Sequence, residues 1–131
     1  MYPAILKRTL LLCSAFVFGI LSCYSQNESS DQLEGTWTKV LNGRTVTFTI
    51  APDQTYQVEF IGDADTDVYG KYKISGSQVT FNDEGGDYAA KDAPGVYEFQ
   101  FSDSSVTFTE VDDPLPGRKI LLVGKWSRAD Q

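Results

Sequence analysis

The chain has 131 residues, eleven Lys plus Arg against eighteen Asp plus Glu, a formal charge of −7 and no histidine. That length suits one domain and not two. The acidic balance excludes nucleic acid and anionic lipid as expected partners, because both would repel it. The missing histidine removes the usual general base and the commonest metal ligand.

From the N-terminus, residues 1–22 read as an export signal. Lys7 and Arg8 form a positive head, and "TLLLCSAFVFGIL" is an apolar run too short for an ordinary membrane span. Without Lys7 and Arg8 the balance is nine basic against eighteen acidic residues, or −9. The end of the segment has two readings. Ile20 to Cys23, "ILSC", resembles a bacterial lipobox, which is cut before a cysteine that is then acylated. Cys23 is then the lipidated residue, and the protein is a lipoprotein of the cell envelope that meets the membrane only through its lipid. Alternatively, ordinary signal peptidase cuts after Ser25, and a secreted or periplasmic chain begins at Gln26. Residues 23–32, "CYSQNESSDQ", are expected to be a flexible tether. Cys13 and Cys23 both precede the domain, so no disulfide is available inside it and the exported fold must rest on its core.

Residues 33–128 form the expected domain. Alternation at period 2 recurs there, broken by Gly, Pro, Asn, Asp and Ser. It predicts eight strands: 35–40, 45–50, 55–61, 68–74, 78–82, 95–101, 105–111 and 118–127. Asn42-Gly43 is a strong hairpin signal. Eight sequential antiparallel strands give either a sandwich or a closed up-and-down barrel. The connections favour the barrel. "GDADTD", "DEGGDYAAKDAP" and "DDPLPG" are long and join "LNGR" at one end, while "APDQ", "SGS" and "SDS" are short and lie at the other. The expected fold is therefore all-β, an eight-stranded antiparallel barrel with an open mouth, a closed floor and no substantial helix after the export signal.

Apolar parity selects the inward side chains. They are Trp37, Val46, Phe48, Ile50, Tyr56, Val58, Phe60, Val68, Tyr72, Ile74, Val79, Phe81, Tyr97, Phe99, Phe101, Val106, Phe108, Ile120 and Leu122. These aromatics either fill a small lumen completely or leave room for one small molecule. The same parity turns Lys39, Glu110 and Arg118 inward. Glu110 and Arg118 flank one hairpin and are expected to pair across it. Together with the hydroxyls of Tyr72 and Tyr97, these residues are the candidate ligand-binding set. A few convergent polar groups in an apolar lumen are the usual composition of a small-molecule site. Lys39 and Arg118 together would suit an anionic head group. The structural alternative is a Glu110–Arg118 pair that pins a loop and a Lys39 that snorkels to solvent. Leu121 and Val123 are expected to point outward, under the leader or in an oligomer contact.

The first strand begins with "GTW", and Arg128 closes the last. This pairing resembles the G-x-W motif and its accompanying arginine in the lipocalin and wider calycin superfamily, and the chain is similar to a compact bacterial lipocalin-like domain. It lacks the T-D-Y motif and the C-terminal helix of long lipocalins. The opening "GTWTKVLNGRTVTFTI" also resembles avidin-type barrels, without their tryptophan-rich biotin pocket. The resemblance implies a lumen for a small apolar or amphipathic ligand. In a closed barrel Trp37 meets the end of the last strand, with Trp126 and Arg128, and the three are expected to seal the floor by a cation–π contact.

The rim loops hold nine acids: Asp63, Asp65, Asp67, Asp83, Glu84, Asp87, Asp92, Asp112 and Asp113. "DADTD" opens like a calcium loop but lacks the glycine and the bidentate glutamate of an EF-hand. Solvated turns, a looser calcium site and a rim for a basic partner all remain readings of these loops. Without His, a barrel Cys or a Gly-rich phosphate loop, no metal, cofactor or catalytic residue is expected. Binding is favoured over enzymatic activity, with isomerase or dehydratase chemistry by Tyr72, Tyr97 and Glu110 as the enzymatic alternative. The non-enzymatic alternative is a packed barrel acting as a protein-interaction module or inhibitor.

Overall fold

The computed structural model describes residues 30–62 and 67–129. The expected export signal, Cys23, most of the expected tether, Asp63 and Asp65 lie outside the described residues. The strands are β1 (Gly35–Leu41), β2 (Arg44–Ile50), β3 (Thr55–Phe60), β4 (Val68–Ser75), β5 (Gln78–Gly85), β6 (Gly95–Ser102), β7 (Ser105–Asp112) and β8 (Gly124–Arg128). They close into one antiparallel barrel in chain order. The closing seam between β1 and β8 pairs Trp37 with Arg128 and Thr38 with Ser127. At the mouth, Asn42 and Gly43 both take positive φ, 51° and 79°, as a two-residue hairpin of matching twist requires.

Inward alternation builds the core. Phe48 stands at its centre, with Trp126, Phe81, Tyr56 and Phe108 at ring-centroid distances of 5.3, 5.5, 6.0 and 6.0 Å. Such offset and edge-on contacts are the favoured aromatic geometries. Trp37, Val46, Phe48, Val79, Phe81, Tyr97, Val106 and Trp126 are essentially fully buried.

One expected strand is wrong over most of its length. In place of a strand over 118–127, a helix, α1, runs Pro116–Leu122, and β8 begins only at Gly124. The apolar run "ILLV" fits a buried strand or a buried helix equally by pattern. Two local features decide for the helix. Pro116 sits in its first turn, where its missing N–H costs nothing. Gly124, at φ 113°, then breaks it. The helical period reverses the expected facing. Ile120, expected inside, is 65% exposed, whereas Leu121, expected outside, packs against the core.

The closing seam carries the same small device twice, once on each of its two strands. Residues 30–33 form a helical turn ending in Leu33, and α1 ends in Leu122. Each leucine is followed two residues later by a glycine at high positive φ, Gly35 at 128° and Gly124 at 113°. Each glycine is followed two residues later by a buried tryptophan. The indole N–H of Trp37 donates to the Leu33 carbonyl at 2.9 Å, and that of Trp126 to the Leu122 carbonyl at 3.0 Å. A cation from the facing strand covers each ring: Arg128 lies 4.0 Å from the centre of Trp37, and Lys39 lies 4.7 Å from that of Trp126. "LEGTW" and "LVGKW" are thus related by a local two-fold axis across the β1–β8 seam. At the floor, Arg128 also donates to the carbonyl of Glu34, at 2.6 Å, and to that of Gln32. A Cβ at Gly35 would collide with this guanidinium. The glycine of "GTW" is therefore required twice, by its φ and by the arginine beside it.

Candidate functional site: a cavity at the long-loop mouth

The long connections place irregular backbone at one end of the barrel, and α1 lies among them. Beneath them is a cavity of about 430 Å³. Its walls are chiefly apolar: Leu41, Val58, Phe60, Val68, Phe81, Ala90, Leu115, Leu121 and Leu122. Tyr56, Asp83, Arg118, Arg44 and Tyr88 provide its polar side chains. The volume is within the usual range for small-molecule pockets. The aromatics therefore pack the barrel centre without filling the mouth end.

One polar wall is a buried ionic cluster. Arg118 projects from α1, with its side chain only 7% exposed. Its Nε and Nη2 donate to Oδ2 and Oδ1 of Asp113 at 2.7 and 2.8 Å, a bidentate pair. Nη2 also donates to the Ala93 carbonyl, which ties α1 to the β5–β6 connection. Nη1 stands 3.3 Å from Oδ2 of Asp83, close enough for charge attraction, yet it makes no hydrogen bond. Asp83 is held by the Tyr56 hydroxyl on Oδ1 and by the Ala90 N–H on Oδ2 at 3.1 Å. Asp113 accepts from the Tyr97 hydroxyl and, at 2.9 Å, from the Leu115 N–H.

Ionisation follows these contacts. Burial, reinforced by the neighbouring carboxylates Asp83 and Asp113, holds the Tyr56 and Tyr97 phenols well above the ordinary tyrosine range. Burial would raise the Asp113 carboxyl, but hydrogen bonds from Arg118 and Tyr97 outweigh it and hold the group below the usual range. Burial alone would lower the Arg118 guanidinium, and the bonds to Asp113 reverse that.

Of the five residues expected to bind a ligand, only Arg118 lines this cavity. It comes from a helix and not from the inner face of a strand. Its partners are Asp113 and Asp83, so the expected Glu110–Arg118 pair does not form. Glu110 instead meets Lys119 at 3.3 Å on a partly exposed surface. Lys39 is half-buried at the seam, where it donates to the Val123 carbonyl at 3.1 Å, and desolvation lowers its pKa. The expected Lys39–Arg118 cation pair is thereby separated. The Tyr72 hydroxyl points to the floor, donating to the Ala51 carbonyl at 2.7 Å, with its pKa pushed up to about 12 chiefly by burial. Tyr97 is absorbed in the cluster through Asp113. Asp67, one of the rim acids, caps the Phe60 N–H at 2.7 Å.

Neither Asp83 nor Asp113 belongs to the ligand-binding set expected from the sequence. A signal for Asp83 existed: it continues the inward parity of Val79 and Phe81, and β5 extends to include it. Asp113 follows β7 and had no such signal. No protein-family model, curated protein or solved structure matches this chain.

Proposed function

We propose that this protein is an exported, lipocalin-like barrel that binds a small hydrophobic or amphipathic molecule in its lumen. The observation that carries this reading is the apolar cavity of about 430 Å³ at the mouth. The stacked Trp37–Arg128 floor supports the likeness to lipocalins. Binding without chemistry is favoured because the hydroxyl of Tyr56, which lines the cavity, and that of Tyr97, in the adjoining cluster, already donate to carboxylates and are held protonated. Neither can serve as a base at neutral pH.

Ala90 lines the cavity. The neutral dye N-phenylnaphthylamine should brighten when it enters the wild-type lumen, and Ala90→Trp should abolish most of that signal while leaving the fold intact by circular dichroism. A wild-type protein that leaves the dye dark, or a folded variant that binds it unchanged, removes this reading.

Cys23 is proposed as the lipidated residue, with the polar segment after it as the tether. Cys23→Ser should release the protein from the envelope fraction into the soluble one. Continued membrane retention of that variant would sink the anchor.

A second reading, an interaction module, is favoured by one observation. Val40, Ile61, Tyr69, Tyr88, Val111, Ile120 and Val123, the large apolar residues exposed among those described, all lie at the mouth end. Apolar exposure gathered at one end of the barrel favours a contact surface there. A barrel that takes up no dye would leave this second reading as the better one.

A further inference from the structure

We propose that the cavity admits uncharged ligands and rejects carboxylates, and that Asp83 is the residue that sets this selectivity. The proposal rests on the lumen-binding reading and specifies the ligand's head group.

Arg118 is the only buried cation among the described residues. It lines the cavity and would be the natural partner of an anionic head group. Two of its three nitrogens are already committed. Nε and Nη2 are held by the bidentate contact to Asp113, and Nη2 also by the Ala93 carbonyl. The Nη1 edge alone lacks a hydrogen bond. A ligand carboxylate would have to use that edge, and Asp83 stands beside it at 3.3 Å. Asp83 is not free to swing away. Its side chain is 3% exposed, and the Tyr56 hydroxyl and the Ala90 N–H hold one oxygen each.

The charge balance gives the same answer. One guanidinium faces two carboxylates, so the buried cluster carries a net −1. A third carboxylate would be desolvated next to a site already in excess of negative charge, which disfavours its ionised form. Arg44 does not reverse this. It lies at the cavity rim with its guanidinium 5.0 Å from the centre of the Phe60 ring, and it is exposed, so its pull on an anion is screened by water and salt. A hydroxyl or carbonyl head group meets no such repulsion, and the apolar walls take the rest of the molecule.

The test displaces N-phenylnaphthylamine with decanol or with decanoate at neutral pH, in wild type and in Asp83→Asn. Decanol should compete at least about tenfold better than decanoate in wild type, and Asp83→Asn should narrow that ratio at least about threefold by removing the negative charge beside the Nη1 edge. Decanoate competing as well as decanol in wild type overturns the proposal, as does an unchanged ratio in a folded variant. Should Asp83→Asn not fold, Asp83→Thr keeps an acceptor for the Ala90 N–H and gives the same readout. If the dye never binds, the lumen reading itself falls. If the dye binds and both competitors act alike, only the selectivity claim falls.

Discussion

Trp37→Ala is expected to cost about 3–5 kcal/mol of folding stability, the range for removing a large buried aromatic. Three losses combine. The indole is 1% exposed, so a large cavity opens at the floor. The Leu33 carbonyl loses its donor. Arg128 loses the ring beneath it. Against a typical total of about 5–15 kcal/mol, a variant of this kind is close to unfolded. The twin device on β8 gives an internal control. Arg128→Ala removes a cation–π contact together with charged hydrogen bonds to Glu34 and Gln32, and should cost about 2–3 kcal/mol. Lys39→Ala removes a more exposed contact and one bond to Val123, and should cost about 1 kcal/mol or less. Urea unfolding of the three variants checks this order. Equal losses for Arg128→Ala and Lys39→Ala would show that the two contacts brace the seam equally.

Arg118→Met should be comparably damaging at neutral pH, about 3–5 kcal/mol, because it strands Asp83 and Asp113 as buried carboxylates without a counter-ion. The pH dependence separates this cause from simple loss of packing. In wild type, Asp113 has a folded pKa below its unfolded value of about 3.9. Its contribution is present above that value and is lost as pH falls through the folded pKa. Wild type therefore weakens in acid. In Arg118→Met the two stranded carboxyls take up protons more readily in the folded state than in the unfolded chain, so the variant should regain stability on moving from neutral pH toward pH 4. Urea midpoints at the two pH values provide the comparison. A variant that loses stability in acid in parallel with wild type would show that Arg118 does not neutralise these groups.

Much of the barrel could be read from the chain. The inward positions of β1 to β7, the Asn42-Gly43 hairpin and the stacking of Arg128 on Trp37 all depend on period-2 alternation and on the antiparallel order of neighbours. The same reasoning failed at Ile120 and Leu121, because a continuous apolar run carries no period to distinguish strand from helix. It also left the repeat "LEGTW" and "LVGKW" unrecognised, since the likeness appears only once Leu33 and Leu122 are seen to accept from the indoles.

The mouth cluster shows where local pattern stops. A strand's alternation is a property of consecutive residues, so the sequence by itself determined the inward faces of β1 to β7, and the lengths of its connections favoured a barrel over a sandwich. Which acids meet Arg118 is a property of residues far apart in the chain, selected by burial. Nine acids stand on the rim loops or their edges. Only the closed barrel with α1 folded over it decided that Asp83 and Asp113, and not Glu110, share that guanidinium. The physical reason is desolvation. A charge removed from water must find its partner within a few ångströms, and that proximity exists only once the tertiary structure has formed.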